Sequence, residues 1–254
     1  MRRGTVLVLI GVLACGAAFA ASASAATSSV SHGPGTIAGK HRVGRHLVYS
    51  TNWSGYAAHG DTFKSVTGTW TQPVSDCSTV KGQKETVASF FAGLDGFDSG
   101  TVEQTGVDSI CIGKTAYYIP WYEFYPARSV TINHDVQPGD TLTSAVSQNG
   151  STVTVTLTDQ GNWTESHSQS AAGLAFNSAE WIAEAPAQQL TDFGSVHFGS
   201  VSATDTANHT GTITNSHWAN DSIVMVTRNG HRVRATPENL ASNGGSFDDL
   251  WQGF

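Results

Sequence analysis

The sequence predicts an all-β protein, an antiparallel sandwich or barrel. Three observations point there. Residues 151–157 place Val153, Val155 and Leu157 on one side and Thr152, Thr154 and Thr156 on the other, the period-2 pattern of a half-buried strand. Asn149-Gly150 and Asn229-Gly230 adjoin strand-like runs, and Asn-Gly is a strong short-range hairpin signal. No segment carries a long, capped helical period, and only 13% of the 254 residues are charged, against a usual ~25%. Salt-bridged helices and coiled coils need more charge. Short strands with regular turn signals make a sandwich or barrel.

The chain divides into three parts. Met1-Arg2-Arg3 is followed by an apolar run over 5–14 and by Ala23-Ser24-Ala25. A positive start, a short apolar stretch and a small-x-small site read as a secretory signal over 1–25, and the run is too short to span a bilayer. The mature protein is therefore expected outside the cell, with no membrane association. Val12-Leu13-Ala14-Cys15 loosely resembles a bacterial lipobox, although Leu13 fits that pattern poorly. Residues 26–48 contain Lys40, Arg42 and Arg45 and no acid. Without periodicity, they read as a flexible basic leader or a short propeptide. Residues 49–254 then hold all 20 acidic residues and are long enough to bury a real core.

In this body 67–71 alternates Thr with Gly68 and Trp70 before Pro73, and 223–226 is a continuous apolar run. If Cys15 leaves with the signal, Cys77 and Cys111 remain. Two cysteines in an exported protein read as one disulfide, stabilising by about 4 kcal/mol through loop closure. Two buried thiols are the alternative. Monomer is the default oligomeric state. Five Asn-x-Ser/Thr sites, at Asn52, Asn149, Asn162, Asn208 and Asn220, are glycan acceptors in a suitable host.

Composition and motifs narrow the chemistry. An acidic, Lys-poor chain suits no nucleic acid, whose binding needs basic stripes. There is no H-E-x-x-H, G-x-S-x-G or Gly-rich phosphate loop, and the ten His are scattered without metal-ligand spacing, so neither a metal nor a cofactor is expected. A Ser-His-Asp triad leaves no trace at this level, because its members are distant in sequence. Asp98-Ser99-Gly100-Thr101 looks like the loop of pepsin-like aspartic peptidases, but a shared-proton pair needs two copies and one occurs; it reads as a turn.

Three polar-aromatic segments stand out. As strands, 102–108 places Gln104, Gly106 and Asp108 on one face, 121–126 places Trp121, Glu123 and Tyr125 on one face, and 179–186 places Glu180, Ile182 and Glu184 together. Helical geometry would also pair Glu180 with Glu184; Pro186, which makes Ala185 extended, favours the strand. Edge charges that deter aggregation would explain one such segment. Three suggest a groove of acids, an amide and aromatic rings for an elongated polar polymer, peptide or glycan.

The ordered motifs Asn52-Trp53-Ser54-Gly55, V-T-G-T-W-x-x-P over 66–73, F-A-G-L-D-G over 91–96, E-Q-T-G-V-D over 103–108, W-Y-E-F-Y-P over 121–126 and A-E-W-I-A-E over 179–184 resemble the glutamic peptidases, or eqolisins: secreted acid endopeptidases insensitive to pepstatin. The similarity runs from about Tyr49 to Glu184 and more weakly beyond. It implies a sandwich of two curved antiparallel sheets, concanavalin-like, with the substrate cleft on a concave face. It implies Gln104 and Glu184 as the catalytic pair acting on protein or peptide substrates. Asp95, Asp108, Trp121 and Glu123 fall at supporting positions, with Trp53 and Phe91 in the matching motifs. Phe91 replaces a Trp usual in the family, which bears on pocket shape. The basic leader fits a family whose propeptides pair with acidic enzymes.

Two other functions use the same residues. A glycosidase would need two carboxylates, for which Glu123 and Glu184 serve. A non-catalytic module would stack sugars on Trp121 and Trp181.

Overall fold

The computed structural model describes residues 30–36, 46–80 and 84–253. The signal over 1–25, Cys15 and the leader's Lys40, Arg42 and Arg45 lie outside the described residues.

The described residues form sixteen strands: β1 (Leu47–Ser50), β2 (Trp53–His59), β3 (Phe63–Thr71), β4 (Glu85–Leu94), β5 (Val102–Ile112), β6 (Thr115–Tyr125), β7 (Val130–Thr131), β8 (Thr141–Asn149), β9 (Thr152–Asp159), β10 (Trp163–Ser170), β11 (Ser178–Glu184), β12 (Ser195–Asp205), β13 (Thr210–Gly211), β14 (Ala219–Val226), β15 (Val233–Pro237) and β16 (Phe247–Trp251). Among the described residues the only helical turn is a 3₁₀ turn at Cys77–Thr79, capped by the Asp76 side chain. β1 begins at Leu47, two residues inside the stretch read from sequence as leader.

Hairpin chemistry sets the local register. Gly150 (φ 57°) turns β8 into β9 and Gly230 (φ 70°) lies between β14 and β15, the Asn-Gly positions singled out above. In β9 the side chains of Val153, Val155 and Leu157 are buried while the threonines between them are half-exposed. β10 at the outer edge is polar and alternates half-buried with exposed positions. Such an edge offers little to a stray strand.

The strands hydrogen-bond in one continuous order, β10-β9-β8-β3-β12-β16-β15-β14-β2-β11-β4-β5-β6-β7. β1 joins β14 in parallel; the neighbours along the path are antiparallel. The ribbon doubles over so that β3 and β8 pack on β4, and β8 and β9 pack on β5. The two layers expected of a sandwich are therefore present, but they are not two separate sheets. β15 and β16 carry the hydrogen bonding from one layer to the other. A twisted sheet of more than about ten strands must curl or split, and curling brings its apolar faces together.

The main core fills the space between the layers. Phe90, Ala92, Trp181 and Ala183 meet Trp70, Leu142, Val146 and Val155 there. Trp181 is fully buried and its indole N–H donates to the Thr67 carbonyl at 2.8 Å. A second, smaller cluster lies on the other face of the same strands: Trp53, Phe91, Trp121, Ile182 and Ile223. This second face carries the site. Cys77 and Cys111 are joined in a disulfide, Cα to Cα 5.5 Å, and pack with Val80.

Candidate active site

Three cross-strand rows build the site. Strands β11, β4, β5 and β6 are neighbours, so residues in register share a face. Glu184, Ser89 and Asp108 form one row; Ile182, Phe91, Gly106 and Trp121 the next; Glu180, Gly93, Gln104 and Glu123 the third. Period-2 alternation puts all of them on the second face, as the sequence predicts for β5, β6 and β11. Gly106 is required by packing: a Cβ there would come within 2.2 Å of the Phe90 carbonyl oxygen. Phe91 stands edge-on to Trp53 and Trp121, with ring centroids 5.8 and 6.0 Å away. The three rings floor the cleft, and Phe91 is fully buried beneath it.

A segment of the chain itself lies over this floor. His32 is fully buried. Its imidazole stacks on Trp121 with centroids 3.7 Å apart and planes 4° from parallel. Its Nδ1 is 3.3 Å from Glu184 Oε2, and its Nε2 is 3.5 Å from Asp108 Oδ1, a contact too poorly aligned to be a hydrogen bond. Its backbone N–H donates to Glu123 Oε2 at 2.9 Å, and its carbonyl accepts from the Gln104 amide. Gln104 Nε2 also donates to Glu123 Oε2 at 3.1 Å. Gln104 Oε1 has no hydrogen-bond partner among the described residues. Asn52 Nδ2 donates to Glu184 Oε1 at 3.4 Å and to the Pro34 carbonyl at 3.1 Å.

Burial dominates the electrostatics. It pushes the Glu184 carboxyl well above its ordinary range, helped by the nearby Glu123 and Asp108 charges and opposed by contacts from Asn52 and Trp53. It pushes Asp108 up to about 8, against the bond it accepts from Ser89, and Glu123 up to about 7, against the donors His32, Ser31 and Gln104. The His32 imidazole is pushed down to about 3 by the same desolvation. All four shifts favour neutral forms. With residues 30–36 in place, burial therefore favours a protonated carboxyl and a neutral ring over an ion pair at the Glu184–His32 contact.

Gln104, Glu184, Asp108, Trp121 and Glu123 all converge on one residue. Trp53 and Phe91 lie below it. Asp95 stands apart. Its Oδ2 accepts from the backbone N–H groups of Ala175 and Phe176 at 3.0 and 2.8 Å, and its Oδ1 from Asn177 at 2.9 Å. With φ at 69°, it clamps the entry to β11 onto the turn after β4. Asp98-Ser99-Gly100-Thr101 forms a turn closed by Ser99, whose hydroxyl accepts from Gly96 N–H at 2.8 Å. Beside Glu184 a cavity of about 620 Å³ opens between Asn52, Pro34, Tyr125, Gln188, Arg228 and Arg234.

Sequence reasoning passed over His32, Asn52 and Ser89. Asn52 lay inside a quoted motif, next to the Trp that drew attention. Glu103 and Glu180 are both fully buried, with carboxyl oxygens lacking hydrogen-bond partners among the described residues; the sequence marks Glu180 only as a strand-face residue and Glu103 only as part of a motif. Burial and the neighbouring Asp95 push Glu103 up to about 9.

The fold and its motifs have known counterparts. The chain aligns with scytalido-glutamic peptidase, solved with a transition state analog inhibitor, at TM-score 0.64 and 19% identity, covering 80% of this chain and 98% of that one. Aspergilloglutamic peptidase from Aspergillus niger superposes at TM-score 0.56 and 23% identity, covering 66% of this chain and 99% of that one. At these identities the likeness is one of fold. In sequence, Aspergillopepsin-2 of Aspergillus niger is 30% identical over an alignment of 183 positions that covers 61% of this chain and 65% of that protein's length. The model of the peptidase A4 family matches residues 51–240, a span that contains every strand of the three rows above, and on that match the chain belongs to the peptidase A4 family, the glutamic peptidases.

Proposed function

We propose that this chain is an exported endopeptidase that hydrolyses peptide bonds in proteins in acid, acting as a monomer through Gln104 and Glu184. One observation carries the reading: the Gln104 amide donates to a peptide carbonyl, that of His32, in the cleft where the Glu184 carboxyl also reaches the same residue. That is the contact an oxyanion donor makes with a substrate, where a preorganised donor is worth about 3–4 kcal/mol.

In the proposed reaction a substrate and its water replace residues 30–36, which relieves the burial that holds Glu184 protonated; the ionised carboxyl then takes a proton from the water that attacks the carbonyl carbon. The Gln104 amide stabilises the oxygen as it becomes negative, and its partnerless Oε1 is available to orient the water. Glu184 then gives the proton to the leaving nitrogen as the C–N bond breaks. A neutral amide does not compete for the proton, so one carboxyl serves as base and then acid. Asp108 and Glu123 sit close enough to oppose a second negative charge, so ionisation of all three towards neutral pH works against catalysis. Export is supported by the Cys77–Cys111 disulfide.

The test is hydrolysis of denatured casein from pH 2 to 8 with pepstatin present, for wild type and Glu184→Gln. Acid activity lost in the variant supports the assignment; retained activity refutes it. Turnover of soluble glucans instead would point to the glycosidase.

A further inference from the structure

The family resemblance suggested a leader held by charge. The part of it described here holds by other means. None of Val30, Ser31, His32, Gly33, Pro34, Gly35 and Thr36 is charged in its ordinary form except His32, and His32 is buried neutral. We propose that the slot bounded by the Trp121 ring and the carboxyls of Asp108 and Glu184 is a binding site for the imidazole of histidyl peptides, that peptides of the form Ser-His-Gly-Pro fill it as competitive inhibitors, and that residues 30–36 are the first of them. This rests on the reading of Gln104 and Glu184 as the cutting pair.

The slot selects its occupant by shape and by nitrogen placement. A flat ring fits against Trp121, and the two carboxyls lie at opposite ring nitrogens, 3.3 Å from Nδ1 and 3.5 Å from Nε2. A phenyl ring would stack as well but leave Glu184 Oε2 facing carbon in a dry site in place of its ring-nitrogen partner, which is costly. The backbone around the ring is held too. His32 uses its N–H on Glu123 and its carbonyl on Gln104. The Ser31 hydroxyl donates to Glu123 Oε1 at 3.3 Å, and Gly35 N–H donates to the Gly96 carbonyl at 3.0 Å. Asn52 takes both sides of the following turn, donating to Pro34 and accepting from Thr36 N–H at 2.6 Å. Gly35 lies so close to Trp53 that a Cβ would come within 2.8 Å of Cε3. Pro34 fixes its own φ, which lowers the entropy lost on docking.

The bound segment blocks the site and does not present itself for cutting. Glu184 Oε1 is taken by Asn52 and Oε2 by the imidazole, and the Gln104 amide by the His32 carbonyl. Both oxygens of the base and the amide nitrogen that would hold the oxyanion are therefore occupied, and only Gln104 Oε1 is left open.

The test uses the full chain carrying His32→Ala, with intact mass confirmed before each assay, and the capped peptides Val-Ser-His-Gly-Pro-Gly-Thr and Val-Ser-Ala-Gly-Pro-Gly-Thr. His32→Ala should hydrolyse denatured casein in acid at an initial rate at least tenfold above intact wild type. The His peptide should inhibit it competitively, at least tenfold better than the Ala peptide, and remain uncut. His32→Phe should be released like His32→Ala. Equal, measurable rates for wild type and His32→Ala, equal inhibition by the two peptides, cleavage of the His peptide, or full blocking by Phe would each overturn the proposal. Calorimetry of the two peptides with His32→Ala separates it from the reading beneath it. Tenfold preference for the His peptide in a protein that cuts nothing upholds the slot and sinks the peptidase. Casein cleavage with no binding of either peptide does the reverse.

Discussion

Glu123 holds the Gln104 amide in place: Gln104 Nε2 donates to Glu123 Oε2 at 3.1 Å, and the same oxygen accepts from the His32 backbone. One carboxyl oxygen of Glu123 therefore fixes which end of the Gln104 side chain faces a peptide carbonyl. Without that bond, nothing on β6 distinguishes the amide nitrogen from its oxygen.

Replacing Gln104 by Ala should lower kcat by about 10²–10³-fold, the range for loss of one oxyanion donor. Glu184→Gln should reduce it to background. Both are neutral, small changes in a strand face, so the far-ultraviolet spectrum and Tm should match wild type. Steady-state kinetics on a peptide substrate in acid is the measurement.

Glu123→Ala should act through position and not through chemistry. It frees the amide to rotate, so kcat should fall by about tenfold while Gln104 is still present. Adding Glu123→Ala to Gln104→Ala should then cost nothing further, which a double-mutant cycle reads directly.

Stability should be greatest in acid. Burial raises Glu103 to about 9 and Asp249 to about 8, whereas the unfolded chain titrates near 4. The folded protein holds these protons more tightly than the unfolded one. That contribution is complete below about pH 4 and is lost as pH rises through 8–9, at up to about 1.4 kcal/mol per pH unit for each group. Melting temperature against pH should decline across this window, and Glu103→Gln should flatten the decline.

Asp95→Ala removes the acceptor for three backbone N–H groups at the start of β11. Leaving them unmatched should cost about 2–4 kcal/mol and lower Tm by roughly 5–15 °C. Asn at this position, which tolerates the left-handed backbone, should lose less.

Removing the disulfide should reduce stability alone. Cys77→Ala with Cys111→Ala opens a loop of 34 residues in sequence separation, worth about 4 kcal/mol in loop closure. Denaturant unfolding should show this shift, with initial rates in the cold unchanged.

Much of the scaffold is legible in the residues. Alternation in 151–157 gives β9 its buried side, and the Asn-Gly pairs give two turns. The same rule places Gln104 with Asp108, and Glu180 with Glu184, on their shared faces. What alternation does not carry is register between strands. That Glu184 aligns with Asp108 across Ser89, and Gln104 with Glu180 across Gly93, depends on long-range pairing. The joining of the two layers through β15 and β16 is long-range in the same sense. His32 was illegible for a related reason. Residues 30–36 have no period, and their order comes from a surface assembled mainly by β5, β6 and β11, all beyond residue 100, with Asn52 and Trp53 beside them. Gly33-Pro34-Gly35 was the available signal, a stretch with little freedom to be helical.

Every group assigned to the chemistry is mounted on a paired, interior strand of the sheet, β5, β6 or β11, while Gln188, Arg228 and Asn229, which line the neighbouring cavity, sit on connections between strands. Reactivity and selectivity therefore have separate mechanical supports. Segments at the rim can be shortened, lengthened or exchanged to reshape what enters without disturbing the machinery beneath, whereas a slip of β4 by a single residue would turn Ser89, Phe91 and Gly93 inside out and extinguish it.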